Sequence, residues 1–281
     1  MGSDKRERQK ERGQAKRDDI ARLADREVWR QRLLLFLVLA ALIGGAIFLF
    51  SLTGDEEDEA ATSSVPDPVT TTTTESTTTV TELELVPPPL GGTIDGPTPC
   101  PAEDGSEERI TTFSEAPPMC INPSAIYTAI VSTSEGDITV ELDAAKAPNT
   151  VNNFVVLSRY HYYEGVPFHR IIPSFVIQGG DAVGPTLGIG GPGYQFDDEL
   201  PEEGDYQVGS LAMANSGPDT NGSQFFIITG EAGVGLQPQF SLFGLTVDGF
   251  DVVEAIDALG SAGAGKPTES VTINAITISE G

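Results

Sequence analysis

Arg170 is the one Lys or Arg in "FHRIIPSFVIQGGD", Phe168 to Asp181, a run otherwise built like a buried hairpin, and residues 121–281 hold only four Lys or Arg in all. An arginine beside a strand can lay its stem on apolar surface and pair outward with a carboxylate. A guanidinium in a partly desolvated groove can instead act as a preorganised donor, aimed at a lone pair or charge that develops only in a transition state. Other chemistry is poorly supplied. No Ser, His and Asp arrangement stands out for nucleophilic attack. The only histidines are His161 and His169, and there is no C-x-x-C spacing, so the sequence predicts no metal site.

Three local matches also carry weak chemistry. "GIGGPG", Gly188 to Gly193, fits G-x-G-x-x-G but follows no clear strand, opens no helix and contains Pro192, so it reads as a loop. "NGS", Asn221 to Ser223, fits the N-glycosylation pattern but abuts "QFFIIT", which makes it a turn into a strand. "FDDELPEEGD" stacks six carboxylates, Asp197 to Asp205, without the D-x-D-x-D-G spacing of a calcium loop, and reads as a solvated acidic loop.

The elements that would position Arg170 follow from periodicity. "YTAIVSTSEGDITVELD" is two alternating runs joined by Ser-Glu-Gly, a hairpin signal. "APNTVNNFVVLSRYHYY" has Pro148 early and Val151, Phe154, Val155 and Leu157 near helical spacing. "FHRII" and "FVIQG" pair across Pro-Ser. Further strands are expected at "GSLAMA", "QFFIIT", "FSLFGLTV" and "VTINAITI", with a second helix at "DVVEAIDAL". Many short strands and two helices argue a mainly β, antiparallel barrel or sandwich.

Four segments, "AAKAPNTVNNFVVL", "FHRIIPSFVIQGGD", "GSLAMANSGPDTNGSQFFI" and "FSLFG", together resemble the cyclophilin-type peptidyl-prolyl cis-trans isomerases, in order and at suitable separation. The resemblance spans about Tyr127 to Ile278. It implies a cyclophilin-like eight-stranded antiparallel β-barrel capped by two α-helices, here in a membrane-anchored bacterial form. The family's catalytic arginine matches Arg170, and its polar substrate contacts match Gln178, Asn215 and Gln224. Its proline pocket matches Phe175, Val176, Phe226 and Leu236, with Val176 in place of a frequent methionine. Ala214 and Ser216 line the peptide groove. Phe240 stands where many members have a histidine, and Gly235 where they have a tryptophan.

The implied reaction suits these residues. An Xaa-Pro bond exchanges over tens to hundreds of seconds because rotation breaks amide resonance. As the C–N bond twists, the prolyl nitrogen becomes pyramidal and can accept a hydrogen bond, which Arg170 would donate. No proton is transferred and no metal or organic cofactor is implied. His169 is therefore expected to be a hydrogen-bonded structural or groove-edge residue.

The rest of the chain is organised around one apolar run. "LLLFLVLAALIGGAIFLFSL", residues 33–52, is 20 residues without a charge, long enough at roughly 30 Å to cross a bilayer as a helix. It is too long for a signal-peptide core and lacks an A-x-A cleavage pattern, so it is expected to be an uncleaved transmembrane anchor. The first 32 residues carry 11 Lys or Arg against 7 Asp or Glu, and residues 55–281 carry 5 against 35, giving +4 and −30. That asymmetry predicts a cytoplasmic N-terminus, residues 1–32, and an extracytoplasmic catalytic domain on the cytoplasmic membrane. The acidic outer part disfavours nucleic-acid partners, and the domain is expected to be a monomer that binds proline-containing segments of unfolded or secreted proteins.

Between anchor and domain, residues 53–98 are rich in Thr, Pro and acids and read as a disordered stalk. Cys100 and Cys120 follow. An even count on the outer side of a membrane suggests a disulfide, stapling a lead-in at 99–124 ahead of the isomerase domain at 125–281.

Overall fold

The structure, a computed structural model, describes residues 83–184 and 186–281. The basic segment 1–32, the anchor expected at 33–52 and the first thirty residues of the expected stalk, 53–82, lie outside the described residues. Among the described residues no helix is long and apolar enough to cross a membrane.

The strands are β1 (Gly92–Ile94), β2 (Ile110–Phe113), β3 (Tyr127–Thr133), β4 (Gly136–Leu142), β5 (Val166–Pro167), β6 (Arg170–Ile172), β7 (Val176–Gly179), β8 (Ser210–Met213), β9 (Phe225–Ile228), β10 (Leu242–Asp248) and β11 (Thr272–Glu280). Three helices accompany them: α1 (Pro148–Arg159), α2 (Glu231–Val234) and α3 (Phe250–Ala258).

The hairpin β3–β4 forms as the alternation predicts. Tyr127, Ala129 and Val131 face inward, paired with Leu142, Val140 and Ile138. Gly136 makes the turn possible, since its φ of +133° is a conformation that side-chain-bearing residues rarely adopt. The main sheet runs in the order β5-β11-β3-β4-β10-β8-β9-β7-β6, with every pair antiparallel. Its first and last strands, β5 and β6, are parted in the chain only by Phe168 and His169. The sheet therefore curls until its two edges are consecutive pieces of one bent strand. The bend explains why nine strands appear where eight were expected. The two expected helices are α1 and α3, and α2 is an additional single turn.

Pro148 opens α1, where a missing N–H costs nothing. One face meets the sheet through Val151, Phe154, Val155 and Leu157, with the Phe154 ring edge-on to Phe225 at 5.5 Å. Yet Thr150 through Arg159 are all buried, polar residues included. The lead-in covers the other face. The Cys120 amide donates to Asn152 Oδ1 at 2.7 Å, Asn152 Nδ2 returns a bond to the Pro118 carbonyl at 2.9 Å, and the Ile110 amide donates to the Tyr160 carbonyl at 3.0 Å. Cys100 and Cys120 form the expected disulfide, with Cα atoms 5.4 Å apart.

The lead-in also begins earlier than the expected boundary at residue 98. Gly92–Ile94 is a strand, paired in parallel with β2, and the Gly91 amide donates to Thr111 Oγ1. The Thr/Pro/acid composition hides this strand because only three residues are involved and their bonds go to a segment nearly twenty residues away.

Candidate active site

β6 and β7 place Arg170 and Gln178 as direct cross-strand partners. One face of that ladder is polar. Arg170 Nη1 donates to Gln178 Oε1 at 3.4 Å, Gln178 Nε2 donates to Gln224 Oε1 at 3.2 Å, and Gln224 Nε2 donates to the Gly190 carbonyl at 2.9 Å. The guanidinium is half-buried, with its carbon 5.8 Å from the centre of the Phe175 ring. Burial lowers its pKa from the ordinary arginine value, although an arginine side chain stays charged at any physiological pH.

Beside this polar row lies an apolar cluster separate from the main core. Val176, Tyr206, Ala212, Phe226 and Ile228 are its buried members, and Phe175, Ala214, Val234, Leu236, Phe240 and Leu242 pack on it partly exposed. All the residues expected to hold a proline ring, Phe175, Val176, Phe226 and Leu236, meet here, together with Ala214 and Phe240. Phe226 and Phe240 stack edge to face at 5.3 Å. Tyr206 fixes Phe240 from below: its hydroxyl donates to the Phe240 carbonyl at 2.7 Å and accepts from the Phe240 amide at 3.1 Å. Nothing in "EEGDYQ" marks Tyr206 beforehand, because its partners are main-chain atoms 34 residues away.

Asn215 and Ser216 lie in the loop after β8. Asn215 Nδ2 donates to the Gln239 carbonyl at 2.8 Å and its Oδ1 accepts from the Gly217 amide at 3.2 Å, so the side chain braces the loop. The Ser216 amide donates to Thr220 Oγ1. Gln178, Gln224, Ala214, Asn215 and Ser216 line one side of a groove of about 550 Å³, and residues 188–195 line the other. "GIGGPG" is thus a loop, as its sequence predicts, but a loop that forms a wall of the site.

Asp181, unmarked by the sequence reading, builds that wall. It is fully buried, and its carboxylate accepts from the amides of Val183, Gly188 and Gly190 at 3.1, 2.6 and 2.9 Å. His169 departs from expectation in one respect: Nδ1 is buried without a hydrogen-bond partner. Desolvation lowers its pKa, against a smaller upward pull from Asp181 and with a further lowering from Arg170.

Asn221, expected in a turn, is instead fully buried in an isolated antiparallel bridge with Phe196, its side chain donating to the carbonyls of Phe196 and Asp197 and to Asp198 Oδ1. The acidic loop is not simply solvated. Glu199 accepts from the amides and side chains of Asn149 and Thr150 at 2.8–3.0 Å, capping α1 where Ala147 offers no side-chain oxygen.

The curled antiparallel sheet thus carries the Arg170–Gln178–Gln224 row and the adjoining apolar cluster side by side. The profile of the cyclophilin type peptidyl-prolyl cis-trans isomerase/CLD family matches residues 128–278, and the chain belongs to that family. It is similar to peptidyl-prolyl cis-trans isomerase A of Mycobacterium tuberculosis, 43% identical over 176 residues, covering 56% of this chain and 95% of that protein. It is likewise 41% identical over 161 residues to peptidyl-prolyl cis-trans isomerase-like 1 of Bos taurus, covering 56% and 93%. Among solved structures, a cyclophilin type peptidyl-prolyl cis-trans isomerase of Cryptosporidium parvum aligns with a TM-score of 0.50 at 36% identity, covering 55% of this chain and 98% of that one. A second crystal structure of that enzyme was obtained in the presence of the dipeptide Ala-Pro.

Proposed function

We propose that this chain accelerates cis-trans exchange of Xaa-Pro bonds in proteins outside the cytoplasm, assisting their folding while residues 33–52 tether it to the membrane. The observation that carries the reading is the Arg170–Gln178–Gln224 hydrogen-bonded row beside the Phe175, Val176, Phe226 and Leu236 cluster.

In this mechanism the apolar cluster grips the proline ring, and Gln178 and the Asn215 backbone hold the neighbouring peptide groups. Rotation is confined to one end of the bond. The barrier, about 18–20 kcal/mol, is the loss of amide resonance. Arg170 donates to the prolyl nitrogen once it has become pyramidal, a bond the planar ground state cannot accept. A preorganised donor of this kind lowers a barrier by roughly 3–4 kcal/mol. Gln178 Oε1 aims the guanidinium, so little rearrangement is needed at the moment of reaction. Nothing covalent forms and no proton moves.

The test is NMR exchange of a short blocked Xaa-Pro peptide with the full chain and with Arg170→Ala. Fast exchange that collapses in the variant supports the reading. A second reading, a catalytically weak module that holds proline-containing segments, draws on Gly235, where many family members carry a tryptophan. Peptide binding without accelerated exchange would favour that module.

A further inference from the structure

The lead-in lies before residue 128, where the family match begins, yet it touches the groove. β2 is bonded at both ends. At one end the Ile110 amide donates to the Tyr160 carbonyl, just past the end of α1; at the other the Phe113 amide donates to the Pro192 carbonyl at 2.8 Å, in the groove wall. The Phe113 ring is buried, edge-on to Tyr160 at 5.6 Å and to Tyr194 at 6.2 Å. Contact with the wall is close: a Cβ on Gly193 would lie 2.3 Å from the Phe113 carbonyl oxygen.

That wall needs support. Gly188, Gly190, Gly191 and Gly193 make half of its eight residues, and glycines leave a backbone loosely determined. Asp181 fixes the Gly188–Gly190 end. Tyr194 is fixed by its hydroxyl bond to Asn153 Oδ1 at 2.6 Å, and Asn153 Nδ2 donates to the carbonyl of Gly222, which also lines the groove. Between these anchors the main chain of Pro192 and Gly193 meets the main chain of Phe113, and the Phe113 ring holds that contact in register by packing against Tyr160 and Tyr194. The disulfide closes the loop from which β2 projects, since Phe113 lies between Cys100 and Cys120.

Building on the isomerase reading, we propose that the stapled lead-in is a specificity element of this enzyme, and that Phe113 is a positioning residue that sets the grip of the 190–194 wall on peptide residues flanking the proline. Arg170 and Gln178 are tied to that wall through the hydrogen bond of Gln224 to the Gly190 carbonyl, and Asp181 holds the Gly190 amide. Loosening Phe113 should therefore change binding of extended peptides and leave rotation intact.

The experiment measures catalysed exchange by the full chain on two peptides, a blocked Ala-Pro dipeptide and one extended by two residues on each side. Phe113→Ala is expected to raise KM for the extended peptide by about threefold to tenfold, a usual range for coupling through packed side chains. Its kcat, and the rate on the dipeptide, should stay near wild type. Phe113→Leu, which keeps an apolar side chain but loses both edge contacts, should show a smaller rise and serves alone if Phe113→Ala does not fold. Equal losses on both peptides, or no change on either, would overturn the proposal while leaving the isomerase reading standing. Absence of exchange by the unaltered chain on the dipeptide would instead overturn the isomerase reading.

Discussion

Gln178 sits opposite Arg170 in the β6–β7 ladder and accepts from its guanidinium at 3.4 Å, while its own amide donates onward to Gln224 at 3.2 Å. The glutamine can do both only in one orientation, with Oε1 towards the arginine and Nε2 towards Gln224. One side chain therefore ties the donor at the centre of the site to Gly190, the point of the groove wall whose amide Asp181 holds.

Replacing either member of the pair should separate binding from turnover. Arg170→Lys keeps the charge but loses the planar fork and its seat over Phe175. It should lower kcat by about a hundredfold or more, the scale of removing one preorganised donor, with peptide Kd within about twofold because the buried members of the apolar cluster, Val176 and Phe226 among them, keep their packing. NMR exchange gives the first number and titration the second. A comparable loss of binding would mean that Arg170 anchors the ground state instead.

Stability should depend on pH through His169. Its folded pKa lies below the unfolded value of about 6.5 because burial disfavours the imidazolium. Between the two values the unfolded chain binds more protons, so stability rises with pH there and is lost as pH falls below about 6.5. His169→Gln should flatten that limb of a Tm-against-pH curve. Turnover, with no proton transfer and a permanently charged Arg170, should stay level from about pH 6 to 9.

Glu199 offers a test of the acidic loop. Its two oxygens accept four bonds from Asn149 and Thr150 at the start of α1, where a carboxylate also meets the positive end of the helix dipole. Glu199→Ala should cost about 1–2 kcal/mol, the scale of a lost helix cap, in urea unfolding. A change below about 0.5 kcal/mol would show that water replaces the carboxylate without loss.

Much of this was legible in the residues. Period-two alternation marked β3 and β4, and helical spacing marked α1, because each pattern reports a face that must be buried locally. Phe175, Val176, Phe226 and Leu236 came together as the resemblance implied. The residues alone do not show relationships made largely with main-chain atoms: Tyr206 with Phe240, Asp181 with Gly188 and Gly190, Glu199 on α1, and β1 beside β2. A buried carboxylate and a solvated one look alike in a sequence. Only the fold reveals which amides surround them.

Gly235 carries the last prediction. Many family members place a tryptophan here, and the backbone permits one: φ is −76°, and a Cβ would meet only the Glu231 and Ala232 carbonyl oxygens at 3.6 and 3.8 Å, ordinary contact distances. Its neighbours Val234 and Leu236 pack on the apolar cluster, so an indole at 235 can close over a bound proline ring. An added aromatic contact is worth about 0.5–1.5 kcal/mol, so Gly235→Trp should tighten binding of a proline peptide by about twofold to tenfold. Fluorescence titration reads this directly, with Trp29 as the only indole background. Unchanged affinity, with an indole emission that does not respond to peptide, would place position 235 outside the groove and weaken the view that its glycine limits the pocket.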